Sequence, residues 1–181
     1  MNETKTASVT RFDTKTIAEM VAFISLATVL YNLKLYQLPN GGAITLGGMV
    51  PIFWLSLRRG PVVGTYAGIV FGLVVMVFEP VLVSPVQVLL DYPIAFGALG
   101  VAGLFRKWGT IGSVVGVAFG VLGRFIAHFL SGVFFFYMYA GSLDPITYSI
   151  VYNGSYLLPD LIISVVLIFA LSASHALDFG L

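Results

Sequence analysis

Arg124-Phe-Ile-Ala-His128-Phe-Leu-Ser-Gly132-Val-Phe-Phe-Phe136 is the stretch on which the reading of this chain turns. It is an apolar run interrupted at four-residue steps by an arginine, a histidine, a glycine and a phenylalanine. Residues four apart share one face of an α-helix, so these four form a stripe on an otherwise hydrophobic segment. An ionisable group in such a segment is costly in lipid and belongs against protein or a cavity. The stripe therefore marks both a membrane-spanning helix and a site.

The rest of the composition agrees. The chain has 181 residues, of which 59% are hydrophobic and only 9% charged, with a mean hydropathy of +1.00. Soluble domains carry about 25% charged residues. So few charges cannot cover a water-facing surface, which makes this an integral membrane protein. A net charge of +1 gives no reason to expect a nucleic-acid partner. There are no cysteines, which excludes disulfides and thiolate metal sites. The length suits one helical bundle without an appended catalytic domain.

Six apolar runs are legible. The first, Ile17 to Leu33, follows a polar segment and reads as an uncleaved helix, since no small-x-small cleavage site follows it. Thr14 or Thr16 is its expected cap. Ala18, Ala22 and Ser25 place small side chains on one of its faces. Lys34 to Gly42 (KLYQLPNGG) reads as a loop. The second run covers about 43–57, with Pro51 expected to kink it. The basic turn Arg58-Arg59-Gly60-Pro61 leads to the third run, about 62–78, where Gly64, Gly68 and Gly72 form a pattern of tight helix contact. The fourth, about 86–105, contains Gln87, Asp91 and Pro93. The fifth, about 110–138, holds the opening stripe, and the sixth runs from about Tyr148 to Ala173. The expected architecture is an all-α membrane protein with a six-transmembrane-helix bundle over 17–175, flanked by short cytoplasmic segments at 1–16 and 176–181.

Orientation follows from the basic residues. With six spans, Lys5, Arg11, Lys15, Arg58, Arg59, Arg106 and Lys107 fall on one side and only Lys34 on the other. The termini are thus expected in the cytoplasm of a multi-pass protein.

Depth places the polar residues together. Asp91 stands about 15 residues from Arg106, roughly 22 Å from the inner face, and His128 about 18 residues beyond Thr110, roughly 27 Å. Tyr148 and Asn153 enter the last helix at a similar level. Each alone also fits a structural role; their shared depth favours an outward-opening pocket. A carboxylate in an apolar wall needs a cation, and aromatic faces attract one too. Asn and His each offer a donor and an acceptor. The combination suits a small, positively charged heterocycle. An alternative is that Arg124, one turn deeper, neutralises Asp91 itself.

At these residues the sequence resembles the thiamin-specific S-component family of energy-coupling factor (ECF) transporters. The likeness is carried by Ser56-Leu-Arg-Arg-Gly60, Pro85-Val-Gln, Leu90-Asp-Tyr-Pro-Ile-Ala-Phe96, Gly103-Leu-Phe-Arg106, His128-Phe-Leu-Ser-Gly132 and Tyr148-Ser-Ile-Val-Tyr-Asn153. It implies a six-helix subunit of a prokaryotic cell membrane that captures thiamin. Such a subunit works with a transmembrane coupling subunit and two ABC ATPase subunits. No phosphate-binding loop of the G-x-x-x-x-G-K-[ST] type occurs in this chain. The resemblance implies binding roles for Asp91, Tyr92, His128, Gly132, Phe136, Tyr148 and Asn153. A tryptophan of some members' first outer loop aligns near Gly42, and Tyr36 is its candidate replacement. Coupling-subunit contact through helix-one alanines falls on Ala18 and Ala22. No cofactor or metal is expected. The rival readings are a capture subunit for another heterocyclic vitamin or a thiamin precursor, and an intramembrane hydrolase using Asp91, His128 and Ser131.

Overall fold

A computed structural model describes residues 12–174. The polar residues before Phe12, Lys5 and Arg11 among them, and the expected tail at 176–181 lie outside the described residues. Helix α1 (Thr14–Asn32) is followed by a hairpin of β1 (Lys34–Gln37) and β2 (Ala43–Thr45). Then come α2 (Val50–Arg59) and α3 (Pro61–Phe78). Next is a continuous helical string: α4 (Pro85–Leu89), a π-turn (Leu90–Ile94), α5 (Ala95–Gly97), a 3-10 segment (Ala98–Trp108) and α6 (Gly109–Phe135). Helix α7 (Pro145–Ala173) closes the order.

Four segments among the described residues are long and apolar enough to cross a membrane: Thr14–Asn32, Pro61–Phe78, Pro85–Phe135 and Pro145–Ala173. The third is 51 residues long. Unfolded into one rod it would reach about 75 Å, more than twice a bilayer core. It doubles back at Gly109, whose φ of +63° takes the left-handed region that glycine favours. Residues 85–108 and α6 then run antiparallel, with Gly112 beside Phe105, Gly116 beside Ala102 and Gly120 beside Leu99. The expected fourth and fifth runs are the arms of this reversal.

Three local expectations are corrected. Neither Thr14 nor Thr16 caps α1: the Asp13 carboxylate does, accepting the Thr16 N–H at 3.0 Å. The stretch 34–42 is not merely loop, because β1 pairs antiparallel with β2 from Lys34↔Thr45 to Gln37↔Ala43. The run at 43–57 is not one helix. It begins as β2, turns, and becomes the ten-residue α2, with Pro51 in the first turn, where its missing N–H costs nothing.

The core is built by close backbone approach. A Cβ placed on Gly68 would stand 2.2 Å from the Phe96 carbonyl oxygen, and one on Gly72 would stand 2.4 Å from that of Tyr92. Both glycines let α3 lie directly on residues 92–97. Below them Tyr31, Phe71 and Phe96 meet edge to face, with ring centroids 5.1–6.0 Å apart. At the other end, Glu19 of α1 receives Arg59 Nε at 2.7 Å and Nη2 at 2.6 Å, which ties α1 to the basic turn. Outside the spans, hydrogen bonds from Thr147 and then Ile146 hold the Asp144 carboxyl below its usual range, as suits the cap of α7.

Substituting Gly68→Ala should lower thermal stability in detergent by about 1–3 kcal/mol through overpacking. Gly154→Ala, where an added Cβ meets nothing within 4 Å, should instead be neutral or stabilise by up to about 1 kcal/mol. Equal effects would show that the α3 contact is not the constraint described.

Candidate functional site

Pro93 shapes the site before any ligand is considered. It has no N–H to give, and the helix around it widens to a π-turn over Leu90–Ile94. Such turns re-aim neighbouring side chains. Here Asp91 points into a cavity at the hairpin end of the bundle. Asp91, Tyr92, His128, Gly132, Phe136, Tyr148 and Asn153 all line it, with Tyr31, Arg124, Ser131, Tyr152 and Tyr156.

Asp91 is held by neutral donors. Its Oδ2 accepts Gln87 Nε2 and Ser131 Oγ, each at 2.7 Å. Its Oδ1 lies 2.9 Å from His128 Nδ1. Arg124 Nε donates to His128 Nε2 at 3.2 Å. That nitrogen must therefore be an acceptor, so the neutral imidazole carries its hydrogen on Nδ1 and gives it to Asp91. Arg124 reaches Asp91 only through this ring. Its guanidinium lies 4.3 Å over the Phe96 ring, and its buried Nη1 has no hydrogen-bond partner among the described residues. The alternative of a direct Asp91–Arg124 pair is thus not what forms. The carboxylate, 15% exposed, lies at the cavity wall with no cation among the described residues against it.

The remaining residues divide by what their polar atoms already do. The Tyr92 hydroxyl donates to the Glu79 carbonyl and accepts the Val81 N–H, both at 2.8 Å, so it fastens the segment after α3. Asn153 Nδ2 is spent on Ser149 and the His128 carbonyl, while its Oδ1 accepts the Tyr156 hydroxyl at 2.9 Å. One Oδ1 lone pair is left for a ligand donor. A Cβ on Gly132 would stand 2.2 Å from Ser149 Oγ, so this glycine brings α6 and α7 together. Tyr148 stacks on Tyr152 with centroids 5.6 Å apart, and Phe136 lies against Tyr139.

Tyr36 is not brought to the cavity. It sits on β1, 62% exposed. Gly42 takes the inward place, its N–H donating to the Tyr152 hydroxyl at 2.9 Å. A Cβ there would lie 2.8 Å from the Tyr156 ring, so the tyrosines fill the space a side chain at 42 would need. Ala18 and Ala22 are both exposed on α1.

Sequence reading named Tyr148 but missed Tyr152 and Tyr156 of the same wall, and the role of one buried carboxylate. Tyr148, Tyr152, Tyr156 and Asp160 recur every four residues along one face of α7, the same signal that singled out the α6 stripe. Buried Asp160 accepts the Thr45 N–H at 2.7 Å, while Thr45 Oγ1 accepts the Gly48 N–H at 3.1 Å. It thereby anchors the hairpin to α7. No group of three or more potential metal ligands occurs among the described residues.

Comparison with known proteins gives concordant results. The family model described as thiamine transporter protein (Thia_YuaJ) matches residues 17–178. The thiamine transporter ThiT of Bacillus subtilis is 34% identical over 165 residues, covering 82% of this chain and 85% of that protein. ThiT of Lacticaseibacillus paracasei is 30% identical over 139 residues, covering 67% and 69%. A solved structure of ThiT from Listeria monocytogenes superposes with a TM-score of 0.82 at 24% identity, covering 90% of this chain and 95% of that one, which shows a shared fold.

Placing a ring at position 42 by Gly42→Trp should displace Tyr156 and lower stability by about 1–3 kcal/mol, read by thermal unfolding. An unchanged melting curve would mean that the hairpin yields where the packing says it cannot.

Proposed function

This chain belongs to the thiamine transporter protein family, the one its residues resemble, and on that premise we propose that it is the thiamine-capturing subunit of an ECF-type importer. The observation carrying this reading is the Asp91 carboxylate, exposed to the cavity and hydrogen-bonded to Gln87, Ser131 and a neutral His128. A carboxylate so placed is electrostatically incomplete, and a cationic ring completes it. Thiamine offers a thiazolium for Asp91 and an aminopyrimidine for the polar groups nearby. In this arrangement Asp91 meets the cation. Phe136 and Tyr148 supply aromatic faces, and Tyr92 and His128 hold the carboxylate wall. The free lone pair of Asn153 accepts an amino hydrogen, and Gly132 keeps α6 and α7 close enough to form the wall.

The proposal extends to the whole subunit. The six-segment reading counts α1, the hairpin with α2, α3, the two arms that meet at Gly109, and α7. Residues 17–175 form the substrate-binding domain, with both termini cytoplasmic and the cavity facing out, as the distribution of basic residues supports. Energy comes from a coupling subunit and two ABC ATPases. The exposed Ala18 and Ala22 of α1 are the proposed docking face, where small side chains permit close helix approach. The hydrolase reading loses support, because the Ser131 hydroxyl gives its hydrogen to Asp91 and not to an activating imidazole.

Trp54 and Trp108 do not line the cavity, so calorimetry is the suitable assay. Asp91→Asn should weaken thiamine binding by roughly 2–5 kcal/mol, the usual loss when a buried charge partner is removed. Wild-type protein that binds another vitamin and not thiamine would overturn the specificity. Ala22→Leu should leave thiamine binding intact while reducing co-purification with the coupling subunit; full assembly would place the docking face elsewhere.

A further inference from the structure

The segment between α3 and α4 borrows its hydrogen bonds. Residues 79–84 form no helix or strand, yet several of their backbone groups are satisfied inward. Gln87, fully buried, supplies two of these bonds. Its Oε1 accepts the Val83 N–H at 2.9 Å. Its Nε2 donates to the Val81 carbonyl at 3.0 Å and, with its other hydrogen, to Asp91 Oδ2 at 2.7 Å. Tyr92 adds the bonds to Glu79 and Val81. Val81 and Glu79 themselves line the cavity, and Glu79 pairs with Lys34 at the start of the hairpin. One amide thus joins the charged group of the site to a wall of the same site.

We propose that Gln87 is a positioning residue that couples cation capture at Asp91 to the ordering of the 79–83 wall. The inference rests on the reading of Asp91 as the contact for thiamine's cationic ring. A carboxylate with a cation against it is fixed in orientation, and it then fixes the Nε2 hydrogen aimed at it. The other Nε2 hydrogen and Oε1 are rigidly attached, so Val81 and Val83 are fixed in turn. Segments without regular structure open at low free-energy cost, which leaves this wall free to respond. Linkage is reciprocal: if thiamine steadies the wall, a steadier wall retains thiamine. A purely structural Gln87 would make no such link. Its loss would then loosen the wall equally with and without ligand.

Hydrogen–deuterium exchange of the full chain in lipid nanodiscs, with and without thiamine, separates these cases. In wild type, thiamine should slow exchange across 79–83 by about fivefold or more, the low end of ordinary coupling. In Gln87→Leu, which keeps the side-chain volume, and in Gln87→Ala, that slowing should vanish. Thiamine should still bind by calorimetry and should dissociate about tenfold faster, a coupling of ordinary size. Retention of the full ligand-dependent slowing in either variant overturns the proposal. So does wild-type protein that binds thiamine with no change at 79–83, and this arm decides alone if neither variant folds. Wild type that fails to bind thiamine removes the function proposed above, and this inference falls with it.

Discussion

A negative charge facing a cavity inside an apolar bundle must be held without being cancelled. Asp91 meets that demand with an amide, a hydroxyl and a neutral imidazole. Each orients a carboxylate oxygen, and none supplies positive charge. Arg124, the cation best placed to cancel it, is drawn aside to the Phe96 ring and to the far nitrogen of His128. Interposing the histidine separates the two charges while fixing its tautomer. Much of the architecture serves this placement. The Pro93 π-turn aims the carboxylate, the glycines of α3 let that turn sit close, and Ser149 and Asn153 hold the backbone that presents His128.

The parts legible in the sequence were those governed by one-dimensional pattern. The apolar runs gave α1, α3, α6 and α7 within a few residues, because lipid makes long hydrophobic stretches unambiguous. Depth counted along the apolar runs put Asp91, His128, Tyr148 and Asn153 at a similar level, since helical rise per residue varies little beside the thickness of a bilayer. What escaped was decided by contacts far apart in sequence. The hairpin is paired locally but held by Asp160, a residue 115 positions along the chain from Thr45. Nothing near Thr45 announces that partner. Tyr36 and Gly42 show the same limit: Tyr36 lies exposed on the hairpin while Gly42 packs against Tyr152 and Tyr156 of the distant α7.

The site also distinguishes residues that present atoms from residues that hold others. Tyr92 and Asn153 lie on the cavity, yet most of their polar atoms are engaged with neighbouring backbone. Gly132 is there for what it lacks. Residue type at a binding position is therefore a poor guide to the atom that does the binding. The hydrogen-bond ledger of each side chain is the better one.

The glycine contacts of α3 and α6 have a mechanical consequence. Where Gly68, Gly72, Gly116 and Gly120 lie against neighbouring backbone or ring atoms, the seams contain almost no intervening side chains. Rotamer changes there cannot take up slack, and close-packed matter compresses little. Helix α3, residues 92–108 and α6 are thus the stiff frame of the molecule. Compliance is left to the seams cushioned by side chains, where α1 and the lower half of α7 meet that frame. The Thr45–Asp160 tie yokes the hairpin to α7, so any widening there carries the two as a pair.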